Sequence, residues 1–161
     1  MSRGKVIFAH IPISVWRTAC IMINLDVSSI LYYGRSYNDR EVNYYVNLED
    51  LKVYSTESLI QDFDFTDEIL SDDELMIATY RFAPIFRVDI VAEMRRFLND
   101  LNNRRISEKI EELDSEQLYI YFQSYVELNS GDHQRWREHE KRCLTKAAVD
   151  WCKQHHVPYV L

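Results

Sequence analysis

The chain has 161 residues, 47% of them apolar, with only three Gly and three Pro. That supports a real core in a domain of ordinary size and excludes a disordered chain or one built around a long flexible linker. The net charge of −7 at pH 7 opposes direct binding to a phosphate backbone, and so few glycines leave no phosphate-cradling loop.

In chain order, residues 5–11 (KVIFAHI) read as a strand that Pro12 ends or confines to an edge. Residues 17–25 (RTACIMINL) are apolar and β-branched enough for a buried strand, and 29–33 (SILYY) form another, stopped by Gly34. Residues 41–48 (EVNYYVNL) come next and extend towards Tyr54. Spacings of about ten residues, with Gly, Asn, Asp and Ser between the runs, predict an antiparallel meander.

The period then changes. Ser71-Asp72-Asp73-Glu74 has the pattern of a capping box followed by apolar residues. Asp89 is placed to cap a helix reaching about Arg105. Its stripe is Ile90, Val91, Met94, Phe97, Leu98 and Leu101. Ser107 opens a short helix to Leu113. Residues 117–128 (QLYIYFQSYVEL) fit a strand and a helix equally well. Asp132, after Gly131, is the expected N-cap of a long last helix. Its apolar face runs through Trp136, Cys143, Leu144, Ala147, Ala148, Trp151 and Cys152. His155 and His156 fall in its last turn, where a cation suits the helix dipole. Residues 157–161 read as a short closing strand. The expected fold is one α+β domain over residues 1–161: an N-terminal antiparallel meander packed against C-terminal helices, with a closing C-terminal strand.

The cysteines are Cys20, Cys143 and Cys152, with no C-x-x-C pair. An odd number, two of them far apart on one helix, predicts free thiols in a reducing cytoplasm. The opening residues lead straight into a strand-like run, so neither a signal peptide nor a membrane span is expected.

Charge is unevenly placed. Residues 1–48 carry five bases and three acids, and residues 76–161 carry thirteen of each. Residues 49–75 carry ten acids against one base, Lys52. Within that stretch Asp62, Asp64, Asp67, Glu68, Asp72, Asp73 and Glu74 interleave with Phe63 and Phe65. Such a segment can dock a basic protein partner, steering it at long range, or imitate a run of phosphates in a nucleic-acid-binding groove. The same acids would also suit helix N-termini. The basic residues Arg95, Arg96, Arg104, Arg105 and those of the last helix alternate with acids, as on a solvated, salt-bridged face.

Two patterns could carry chemistry. His139 and Cys143 lie four residues apart on one helical face, a spacing for two metal ligands or for a thiol beside a base. Glu127-x-Asn129, followed by Asp132 and the Trp136 helix, resembles in part the metal-dependent nucleases of the restriction-endonuclease type. There a strand carrying E-x-K precedes a helix and a strand. Asn129 stands where the lysine is needed, and Asp114 alone could serve as the upstream metal-binding Asp, so the resemblance implies an inactive relative. No P-loop, G-x-G-x-x-G, G-x-S-x-G or H-E-x-x-H occurs.

The expected function is therefore a non-enzymatic, inhibitor-like or regulatory protein that docks its acidic segment, or a Tyr-rich sheet face, on a protein partner without a cofactor. Its composition is compatible with a virus- or phage-encoded accessory protein. The alternatives are a metal-dependent nuclease or hydrolase using Glu127, Asp114 and Asp132, and a homo-oligomeric subunit.

Overall fold

The computed structural model describes residues 23–37 and 43–161. The expected strand at 5–11 and most of the one at 17–25 lie outside the described residues. The architecture is α+β, with strands early, helices later and a short strand at the C-terminus.

Among the described residues the sheets are small. β3 (Tyr44–Asn47) is the centre of an antiparallel three-stranded sheet, between β4 (Val53–Ser55) and β5 (Phe82–Pro84). β3 and β4 form a hairpin rather than one strand extended to Tyr54, because a turn at residues 48–50 separates them. The Asn47 side chain accepts from Glu49 N–H at 2.8 Å, a local bond that favours the turn over continued strand. Two further pairs are parallel: β1 (Leu25–Asp26) with β7 (Tyr159–Val160), and β2 (Arg35–Ser36) with β6 (Val88–Asp89). The closing C-terminal strand thus forms as expected, paired with β1 and apart from the three-stranded sheet.

Residues 29–33 are not a strand. Asp26 accepts from Ser28 N–H at 2.9 Å and caps the short helix α1 (Val27–Ile30), and a 3-10 turn follows over Leu31–Gly34. A good N-cap outweighs the β propensity of Ile30, Tyr32 and Tyr33.

Between β4 and β5 lie three short helices, α2 (Thr56–Phe63), α3 (Asp67–Leu70) and α4 (Asp73–Ala78). Ser55, Thr66 and Asp72 cap them through their side chains. The cap of α4 is therefore Asp72, one residue beyond the Ser71 that the sequence pattern suggests. Ser71 ends α3, and its hydroxyl donates to Glu68 C=O at 2.9 Å.

Asp89 caps α5 (Ile90–Asp100) through Ala92 N–H at 2.9 Å. The helix stops at Asp100 rather than near Arg105, because Asn102 adopts a left-handed backbone (φ 53°) and Asn103 caps a new helix, α6 (Arg104–Glu111). Arg95 reaches from α5 to the C-terminal end of α6, donating to the carbonyls of Ile110 and Leu113. Residues 117–128 are helical: α7 (Ser115–Leu128) opens with a reciprocal capping box between Asp114 and Gln117. Its buried residues are Leu118, Phe122 and Val126, a period of four. The alternating residues Ile120 and Leu128 are 58% and 85% exposed, so a strand pairing them inward is not what the chain buries.

α8 (Ser130–Gln154) starts two residues before the expected cap. Asp132 lies in its first turn instead. At about 1.5 Å per residue its 25 residues span about 37 Å. One face of this helix serves two cores. Trp136 and Leu144 pack with α5, α6 and α7 around Phe97 and Phe122. Ala148, Trp151 and Cys152 pack with α1, β3 and β5 around Ile30 and Val46. Full burial of Phe122 alone contributes about 1.5–3 kcal/mol. Trp151 Nε1 donates to Pro84 C=O at 2.7 Å, tying the helix to β5. A third cluster, with Tyr45, Leu59, Phe65, Met76 and Phe82, underlies α2–α4.

At the end of α8, His155 is not the helix-dipole cation expected there. Burial, followed by the charge of neighbouring His156, pushes its pKa down from the usual value and favours the neutral ring. Desolvation outweighs the dipole at a half-buried position.

Candidate functional site

The acidic segment occupies α2, α3 and α4 and the turns between them. Asp62, Asp64, Asp67, Glu68, Asp72, Asp73 and Glu74 are all exposed. Asp67 and Glu68 lie in the first turn of α3, and Asp73 and Glu74 in the first turn of α4, where the helix dipole favours negative charge. Asp64 ends α2 in a left-handed conformation (φ 56°), which Asp tolerates better than most residues. Among the described residues, none of these seven acids forms an ion pair, while Arg35 and Arg87 line the same cleft as Asp73.

The two aromatics of the segment divide. Phe63 is 41% exposed and Phe65 only 7%. Phe65 packs on Tyr80, with ring centroids 4.7 Å apart, and edge-on against Phe82. It is a core residue and is withdrawn from the expected docking set, because the turn at Asp64 folds it back beneath α2. The exposed apolar residue the sequence reading missed is Ile60, 42% exposed and one turn before Phe63 on α2. Its i, i+3 spacing to Phe63 was the available signal.

The nuclease-like set does not assemble. Glu127 is exposed in the last turn of α7, and Asp114 caps the start of the same helix. Thirteen helical steps put them about 20 Å apart, too far to share an ion. Asn129 ends α7 and donates to Tyr125 C=O at 2.8 Å, so no E-x-K-type strand exists there. Asp132 is already committed: Tyr125 O–H donates to it at 2.6 Å and Arg135 at 2.9 Å. Burial and then the Asp132 bond push the Tyr125 phenol up to about 12.

His139 and Cys143 do meet, and a third group meets them. Glu93, from the adjacent turn of α5, places Oε2 3.1 Å from His139 Nε2 and 3.5 Å from Cys143 Sγ. The thiol and the imidazole nitrogen are 3.6 Å apart. The side chains of Glu93 and His139 are 12% and 18% exposed. The His139 ring lies nearly parallel to Trp136, centroids 5.7 Å apart, and also touches Phe97. The other carboxylate oxygen, Oε1, is held by Arg96. Among the described residues no other three His, Cys, Asp or Glu side chains bring ligating atoms this close.

This is not a nucleophilic relay. Such a relay has the imidazole hold a carboxylate with one nitrogen and the nucleophile with the other. Here Nε2 faces both. Burial, and after it the charge and hydrogen bond of Glu93, also push the Cys143 thiol up, so the attacking thiolate is disfavoured.

A separate cleft of about 500 Å³ borders Ile23, with Glu49, Arg81, His155 and His156 in its walls. No helix among the described residues is long and apolar enough to cross a membrane. The chain matches no family model, no curated protein and no solved structure.

Proposed function

We propose that this protein is a non-enzymatic, inhibitor-like or regulatory binding protein that docks the face formed by α2, α3 and α4 on a basic surface of a protein partner. The observation that carries this reading is the exposed acid set, which forms no ion pair among the described residues, on helices that bury their apolar side against Tyr45 and Phe82. A surface of one sign raises association rates with a partner of the other sign. Ile60 and Phe63 supply apolar contact within the same face. A partner whose own surface binds nucleic acid fits the charge best. Action in the cytoplasm belongs to the same proposal and accords with the free thiols Cys143 and Cys152.

The test is affinity capture from the native host's extract with two baits. One is the wild-type chain, the other a variant carrying Asp62→Asn, Glu68→Gln, Asp73→Asn and Glu74→Gln. None of these four residues is a side-chain cap, so the variant should melt within a few kcal/mol of wild type, at ~0.3–1 kcal/mol per first-turn acid. The expected result is a basic protein held by wild type, released as salt rises, and lost from the variant. Equal retention by both baits, or retention indifferent to salt, overturns the proposal.

A further inference from the structure

The convergence of Glu93, His139 and Cys143 has the dimensions of a metal site. Tetrahedral zinc has a metal–sulfur distance of ~2.3 Å and metal–nitrogen and metal–oxygen distances of ~2.0 Å. Those lengths give ligand-to-ligand edges of about 3.5 Å from sulfur to either nitrogen or oxygen and about 3.3 Å for nitrogen to oxygen. The observed edges are 3.6, 3.5 and 3.1 Å. All three match within about 0.2 Å.

The surroundings agree with the edges. His139 and Cys143 are one helical turn apart on α8, and Glu93 faces them from α5, so rigid helices set the spacing. Arg96 holds Oε1 of Glu93 and leaves Oε2 to face the other two donors, an outer partner of the kind that orients metal-binding carboxylates. The stack on Trp136 and the contact with Phe97 fix the imidazole plane. One carboxylate and one thiolate together carry the two negative charges that neutralise a divalent ion in a poorly solvated place. A donor set of one sulfur, one nitrogen and one oxygen selects a borderline ion of the zinc class over magnesium or calcium, which take oxygen alone.

We propose that Glu93 Oε2, His139 Nε2 and Cys143 Sγ bind one zinc-class divalent ion, with the fourth position left to water or an outside ligand. Three protein donors and an open position are the pattern of zinc sites that react rather than only brace a fold. This site lies half-buried where α5 packs against α8, apart from the acidic face, and stands whether or not that face docks a partner.

The test uses the full chain and two probes. Calorimetric titration with Zn²⁺ should give one equivalent per chain. Cys143→Ser and His139→Gln should each weaken binding at least ~100-fold and Glu93→Gln at least ~10-fold, since even outer-shell changes at such sites cost ~10–100-fold. Circular dichroism checks that each variant folds. Co²⁺ added to the wild-type chain, where no variant need fold, should give the visible bands of a four-coordinate ion and a thiolate-to-cobalt charge-transfer band. No Zn²⁺ uptake, uptake indifferent to all three substitutions, or a Co²⁺ spectrum without the thiolate band would make this a hydrogen-bonded cluster only and overturn the proposal.

Discussion

At the scale of single residues, short contacts decide more than residue type does. Gly34 closes the 3-10 turn after α1, and a Cβ there would run into the ring of Phe86. Phe86 touches both the α5–α8 core and the core around Ile30, so its ring has little room to yield. Gly34→Ala should therefore destabilise the fold by about 1–3 kcal/mol, as overpacking does, read as a lower urea midpoint at unchanged slope. Glu93 teaches the same lesson about function. As one of several acids among the basic residues of its helix it resembles a solvated charge. Its position between Ile90, Met94 and Phe97 was the available warning, because a carboxylate on an apolar stripe points at whatever packs there. Phe63 and Phe65 look equivalent in the acidic run, yet the turn at Asp64 leaves the first partly exposed on the edge of Tyr54 and Phe82 and sends the second into the core.

At the scale of elements, end signals were better guides than propensity. Asp89, Asn103 and Asp114 each start a helix through side-chain bonds to the next turn. Residues 117–128, balanced between strand and helix by composition, follow the Asp114–Gln117 box into α7. Asp114→Ala removes the bond to Gln117 N–H at 2.8 Å and leaves the first turn of α7 uncapped. It should cost about 1 kcal/mol, measured by chemical denaturation, with a smaller loss for Gln117→Ala. The error at Ser71 has the same source. Two capping residues stood side by side, and only the preceding helix α3, ending on Ser71, left the role to Asp72. Strand readings were weakest where the run was short. Residues 29–33 carry β-formers, but among the described residues the neighbouring pairings, β1 with β7 and β2 with β6, are two residues long, too few ladder bonds to outweigh a capped turn.

At the scale of the whole molecule, α8 is the strut. Its Trp136–Leu144 half belongs to the helical core, its Ala148–Cys152 half to the sheet-side core. Arg35 of β2 is joined to it through Glu140: Nη2 donates to Oε2 at 3.3 Å, while Nε lies 3.2 Å from Oε1 without hydrogen-bond alignment. An ion bridging α5 to α8 would brace that strut. If Zn²⁺ binds as proposed, supplying it at about 100 times its Kd should add about 2.7 kcal/mol of stability. In a chain of this size that raises Tm by about 5–10 °C. A thermal melt with and without a chelator checks this. The rise should vanish in Cys143→Ser.

The amino-acid order by itself determined the class of fold, the start of α5 at Asp89, the stripe of the last helix, and the concentration of charge in residues 49–75. These are local properties: caps, periods and counts act within a few residues, so one dimension suffices to read them. Tertiary structure alone decided which side of a stripe meets which neighbour. It separated Asp114 from Glu127 by placing them at opposite ends of one helix, and tied Asp132 to Tyr125 and Arg135. It brought Glu93 to His139 and Cys143 across 46 and 50 residues of chain. Such proximity is set by the packing of α5 against α8, a consequence of burying Phe97, Phe122 and Trp136 together, and no spacing along the chain encodes it.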